Sequence, residues 1–231
     1  MKILLKYHLL FLGLLLFSQM INAQVVKIDF TIKGLENKEI IVAHHYGENT
    51  LVDDTIQLNE KAQGTLRADS LFQQGLYLCI FPDRSYFEFI MAENQVFEIE
   101  TQTGDNAQSY IRNMQIKGSD INKTFVDYQE FMIEKNQESN DLRQALKADP
   151  GNQSLKKQLS VLNNEVKAKW DAIQKKHPDS FLDKMLTALS ELDVPESPRD
   201  EDGNEIDSLF QYNYYKNHFF DNIDFTDNQM L

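Results

Sequence analysis

The residue whose chemistry would be easiest to recognise is Cys79, the sole cysteine of this 231-residue chain. A redox dithiol needs a second thiol, and no CxxC occurs. Cys79 lies in Gly75-Leu76-Tyr77-Leu78-Cys79-Ile80-Phe81, an apolar strand-like run in which a cysteine serves as a small hydrophobe. His44 and His45 are adjacent in a predicted strand, so their rings project to opposite faces and cannot grip one ion together. Asp53 and Asp54 meet the same obstacle. His177 and His218 are isolated, and neither HxxxH nor HExxH is present.

The acidic stretch 191–207, eight carboxylates against Arg199, invites calcium. With Gly203 at the sixth position of an EF-hand loop, Pro198 falls on the first and Leu209 on the twelfth, where carboxylates are required. The match fails, leaving a solvated linker or a weak cation loop. The glycines at 34, 47, 64, 75, 104, 118, 151 and 203 stand singly, with no phosphate-cradling loop, and there is no GxSxG elbow. No catalytic, cofactor-binding or metal-binding residue is assigned, and no cofactor is expected.

What stands out is surface. Residues 212–225 carry six aromatic rings in fourteen residues, too much apolar area for a solvated tail, so something is expected to pack on them. The runs 81–89 and 212–225 would serve core or interface, with sugar or peptide stacking as the alternative.

The elements that would position these groups change character near Gly118. Before it, short alternating or β-branched runs predict strands at 25–33, 39–45, 54–58, 64–67, 76–81, 86–91, 96–101 and 110–117, punctuated by Gly, Asn and Pro. After it, Phe125, Tyr128 and Met132 begin one helical stripe that continues to Leu142 and Leu146. Leu155, Leu159, Leu162, Val166, Trp170 and Ile173 form a second. Asp149-Pro150-Gly151-Asn152 divides them into an antiparallel hairpin, its first arm roughly 40 Å long. His177-Pro178 ends the second helix, and Asp179 or Ser180 caps a short third one. A last helix-like segment spans 206–220.

The predicted fold class is α+β: an antiparallel β-sandwich or open barrel, then a long helical hairpin and short C-terminal helices. The expected organisation is a signal peptide at 1–23, an all-β domain at 24–118, the hairpin plus short helix at 119–190, an acidic linker at 191–207 and an aromatic segment at 208–231. Residues 1–23 have the basic, apolar and small-residue parts of a secretory signal, too short for a comfortable membrane span. Position 24 is Gln, so lipoprotein attachment is not indicated. The formal charge is −13 and falls to about −15 without Lys2 and Lys6. Such an acidic chain will not seek nucleic acid or an anionic membrane surface.

In order along the chain, Phe30-Thr31-Ile32-Lys33-Gly34-Leu35, Gly75-Leu76-Tyr77, Ile116-Lys117-Gly118-Ser119-Asp120-Ile121-Asn122, His177-Pro178-Asp179-Ser180-Phe181 and His218-Phe219-Phe220-Asp221-Asn222-Ile223-Asp224-Phe225 form a set. The chain so resembles the N-terminal region of exported bacterial thioredoxin-like thiol-disulfide oxidoreductases of the TlpA-like class. The resemblance implies a following thioredoxin fold with the redox dithiol, whereas this sequence stops at Gln229-Met230-Leu231. No position here can take the family's catalytic cysteines. The expectation is a non-enzymatic, periplasmic or envelope module, truncated before a redox domain, whose partners are proteins: that redox domain, a second copy or a client. The alternative is a stand-alone envelope protein that binds a peptide, glycan or protein.

Overall fold

The structure is a computed structural model that describes residues 25–104, 107–190 and 192–229. The predicted signal segment 1–23 lies outside the described residues. Eight strands form two four-stranded sheets: β1 (Val26–Lys33), β2 (Glu39–Tyr46), β3 (Asn49–Gln57), β4 (Gln63–Ala68), β5 (Gly75–Ile80), β6 (Tyr86–Met91), β7 (Val96–Gln102) and β8 (Gln115–Lys117). One sheet has the order β4-β1-β7-β8, the other β3-β2-β5-β6. All pairings are antiparallel except β1 with β7, which run parallel with Ile28 opposite Phe97 and Phe30 opposite Ile99.

The first sheet follows from strict alternation. Val26, Ile28, Phe30 and Ile32 are buried, while Lys27, Asp29, Thr31 and Lys33 face outward. In the second sheet β5 and β6 lose that alternation because both faces are covered, as in other sheets sandwiched between layers. Tyr77, Cys79, Phe87, Phe89 and Met91 face the first sheet and share one core with it. Leu76 and Ile90 face the other way, into a helical layer.

That layer comprises α2 (Asp120–Ala148), α3 (Gln153–Lys176) and α4 (Phe181–Leu189), after a short α1 (Ala107–Arg112) inserted before β8. The junction from β8 to α2 needs Gly118, whose φ is +86° and whose absent Cβ would sit 3.1 Å from the Val96 carbonyl oxygen. Ser119 then caps α2 by accepting from the Asn122 amide, and Asn152 and Ser180 cap α3 and α4 in the same way. Phe125, Tyr128, Ile173, Phe181, Leu182 and Leu186 pack on Ile90, while Val126 reaches the sandwich core. The far half of the hairpin stands away from the sheets: of residues 134–161, none is buried.

Two predicted strands differ. The segment read as a strand at 110–117 is helix to Arg112, where Tyr110 and Ile111, with Met114 just beyond the helix, join the sandwich core. The strand read as 54–58 starts earlier, at Asn49. Gly47 supplies a φ of +57° in a two-residue turn that makes β2 and β3 a hairpin.

Two side-chain amides tie these layers together. Asn122 accepts from the Ile90 amide at 2.7 Å and donates to the Ile90 carbonyl at 2.8 Å, thereby pairing the outer edge of β6 as a neighbouring strand would. Gln95 does the same to Phe72, at 2.9 Å in both directions. Both amides are buried.

Candidate functional site

The residues singled out by type are mostly structural. Cys79 is fully buried, and burial pushes its thiol well above the ordinary range, so little thiolate forms. His44 and His45 do point apart. His44 Nδ1 lies 2.8 Å from Asp53 Oδ2 across the β2–β3 hairpin, and its ring stands 5.4 Å from Tyr77. His45 Nδ1 lies 3.4 Å from the Thr50 hydroxyl. The Tyr77 hydroxyl donates to the Gln73 carbonyl, and burial, with Asp53 nearby, pushes the phenol far up. The cleft beside His44 and Tyr77 holds about 30 Å³, room for a water rather than a substrate. A larger cleft of about 210 Å³ is lined by polar groups including Lys33, Glu100, Arg112 and Gln115. Both are smaller than the roughly 300–1,000 Å³ of usual small-molecule sites.

His177 is isolated in sequence but not in space. Lys176 Nζ donates to the Thr124 hydroxyl at 2.8 Å and pairs with Asp120 at 3.0 Å, and Thr124 lies 2.9 Å from His177 Nε2. The hydroxyl has one hydrogen and two lone pairs, so it accepts from the ammonium whichever way its bond to Nε2 runs, and the imidazole tautomer sets that direction. Burial first, then Lys176, lowers the pKa of His177. This polar knot fastens the foot of the hairpin. Its parts lie about 50 residues apart, so no local spacing pointed to it.

The acidic stretch folds back on itself. The Asp200 carboxylate accepts from the amides of Asp202 and Asn204 and from the Asn204 side chain, and Arg199 reaches the Gly203 carbonyl and Glu205. Asp200's oxygens are thus turned inward to the loop. Among the described residues, no group of three His, Cys, Asp or Glu side chains could hold a metal ion. Nor is any described helix long and apolar enough to cross a membrane.

The aromatic segment is where the structure departs most from expectation. Its helix, α5 (Phe210–His218), is shorter than the predicted 206–220, lacks a side-chain cap and buries none of its residues. Tyr215, Phe219, Phe220 and Phe225 form a continuous ladder of edge-on rings with centroids 4.8 to 5.5 Å apart. Each ring remains about half exposed: 46%, 50%, 56% and 59%. Tyr212, Leu209 and Ile206 extend the same exposed character. The rings therefore pack on one another and on water.

This surface is nonetheless anchored at both ends. Gln211 reaches the Pro195 carbonyl, Asn222 reaches Ser190, and Lys184 of α4 pairs with Asp227 at 2.5 Å. Gln73 beside β5 donates to the Asn228 carbonyl. The Lys184 hydrogen bond, more than any other cause, holds Asp227 below its ordinary 3.8. Because the folded value is depressed, this latch is fully present above pH 3.8 and is lost as the pH falls through the lowered value. A partly exposed pair contributes about 1 kcal/mol at most. Asp227→Asn is accordingly expected to raise the rate of limited proteolysis within 219–225 up to about five-fold at pH 7. The difference from wild type should shrink as the pH falls below 3.8 and through the lowered value, and an unchanged rate at pH 7 would mean the latch holds nothing.

No family model matches the chain, and no curated protein matches it.

Proposed function

We propose that this chain is a non-catalytic docking module of the cell envelope, exported by residues 1–23, that presents the aromatic helix and its following turn to a partner protein. One observation carries the reading: a nine-residue helix with no cap and no buried residue, bearing half-exposed rings, held on a firmly packed body. Isolated helices shorter than about 12–15 residues are marginal in water. Ring pairs along a helix add only about 0.2–0.5 kcal/mol each. Such a helix gains its stability from what it binds. The ordered motifs of TlpA-like accessory regions support a thioredoxin-like redox domain as that partner.

The test is photo-crosslinking in intact cells of the source organism, with a photoreactive phenylalanine analogue at position 220 and, as control, at exposed Val161 on the hairpin. The expected result is one discrete adduct from position 220 that contains a CxxC-bearing thioredoxin-like domain, and none from position 161. An adduct lacking such a domain would remove the redox assignment. No adduct, or the same set from both positions, would contradict docking through this face.

A further inference from the structure

We infer that the aromatic face receives a cationic, apolar segment of its partner, one whose Lys or Arg side chains flank aliphatic or aromatic ones, and does not receive a second copy of this chain. The inference rests on the docking reading above and specifies the partner's chemistry.

The charge around the rings selects the partner. Residues 192–229 contain ten carboxylates against Arg199 and Lys216, a formal charge of −8. Arg199 is engaged by Glu205 and the Gly203 carbonyl, so it offers little compensation. Asp221 and Asp224 lie in the turn between Phe220 and Phe225. Among the described residues Asp221 pairs with His218 at 2.6 Å, and Asp224 accepts from the Thr226 amide and hydroxyl. The Thr226 hydroxyl bond, first among its causes, lowers Asp224 below the ordinary carboxylate value, so it stays ionised through the physiological range. The acids thus outnumber the cations around the rings, where Lys216 is the lysine of the aromatic helix.

Three occupants can be compared on this basis. A second copy would set one acidic segment of formal charge −8 against another, and like-charge contacts at an interface cost several kcal/mol. An anionic lipid surface or a nucleic acid meets the same repulsion. A basic and apolar segment meets none of it: its aliphatic groups cover the half-exposed rings, its cations sit over ring faces, and the flanking carboxylates pair with them. Removing the rings from water supplies affinity, and the charge supplies selection and a fast approach.

The experiment measures binding of the purified chain to two fluorescent 18-residue amphipathic peptides of identical Leu and Phe content, one carrying Lys on its polar face and one carrying Glu. Wild type is expected to bind the Lys peptide at least about 100-fold more tightly than the Glu peptide. Raising NaCl from 50 to 300 mM should weaken the Lys peptide about ten-fold, as expected when charges are exchanged for counterions. The double variant F219S/F220S alters exposed side chains only, and its fold is checked by thermal unfolding; it should bind at least ten-fold more weakly. D221N/D224N, which leaves eight of the ten carboxylates, should narrow the Lys-over-Glu preference while retaining ring-dependent binding. If the Glu peptide binds as well as the Lys peptide and both need the rings, the face docks proteins but the cationic class is wrong. If the Lys peptide binds F219S/F220S unchanged, or neither peptide binds, the rings receive no such segment and the inference falls. A concentration-dependent dimer abolished by F219S/F220S would overturn it in favour of a second copy.

Discussion

Phe89→Ala is expected to cost about 4 kcal/mol of folding stability, the range for truncating a buried Phe being about 3–5 kcal/mol. Phe89 is the hub of the sandwich. Phe30 and Tyr77 stand 6.0 Å from its ring, Phe87 and Phe97 6.3 Å, and the side chain is almost wholly buried. These rings come from β1, β5, β6 and β7, so the cavity left by Ala would open between both sheets at once. Ring pairs contribute about 0.5–1.5 kcal/mol each beyond area burial, which places this site toward the costly end. Since a whole domain is stable by only about 5–15 kcal/mol, the loss should appear as a large fall in the urea midpoint. Phe89→Leu, which keeps most of the volume, should cost clearly less. A loss under 1 kcal/mol for Phe89→Ala would show that the two sheets are not tightly packed around this ring.

The second large effect concerns the joint between sheet and hairpin. Asn122→Leu orphans the Ile90 amide and carbonyl in a buried setting, and each orphaned group costs about 1–3 kcal/mol, for an expected loss of about 4 kcal/mol. The amide also donates to the Ser119 hydroxyl at 3.0 Å, so the cap of α2 is disturbed as well. Asn122→Asp separates the contributions. The acceptor survives, the donor is lost, and a carboxylate replaces a neutral group in the interior, where burial raises its pKa. A raised folded-state pKa means that the charged form is the unfavourable one at neutral pH. The variant should therefore recover part of its deficit, relative to wild type at the same pH, as the pH is lowered through that raised value. Equilibrium unfolding at pH 7 and pH 4.5 reads this directly. Equal deficits at both values would mean that position 122 is not buried against β6.

Much of this scaffold is legible from local pattern. The alternation of Val26, Ile28, Phe30 and Ile32 against Lys27, Asp29, Thr31 and Lys33 reports one buried face. The unbroken apolar run from Gly75 to Phe81 reports a strand covered on both sides, which the helical layer explains. The junction at 116–122 shows how a short motif encodes a physical task. Ile116 pairs with Ile99, Gly118 takes the left-handed turn, Ser119 caps the helix and Asn122 closes the sheet edge. Tyr110 and Ile111 were misleading because their β-favouring side chains sit in a helix, where tertiary burial outweighed intrinsic preference.

The rest depends on contacts distant in sequence. Asn122 meets Ile90 across 32 residues, and Thr124 meets His177 across 53. Composition cannot say which polar residue will find which backbone. The aromatic segment shows the same limit from the other side. Six rings in 212–225 announce apolar surface, but whether it is covered is decided by the layout of the layers, and here α4 and Gln73 hold the C-terminal end of the segment and Pro195 its N-terminal end while its rings stay in water. The acidic loop was likewise readable as acidic, but its inward-turned Asp200 was not.

The central claim is that the aromatic helix is held in place but not held together until a partner covers it. Hydrogen–deuterium exchange of the purified chain, resolved by peptide, tests this most directly. The amides of 210–225 should exchange within seconds, whereas those of β1, β5 and β7 stay protected for hours, because only the latter belong to a packed core. Protection of 210–225 comparable to that of the strands, in the chain alone, would show that the segment is already a finished part of the fold and would contradict the account.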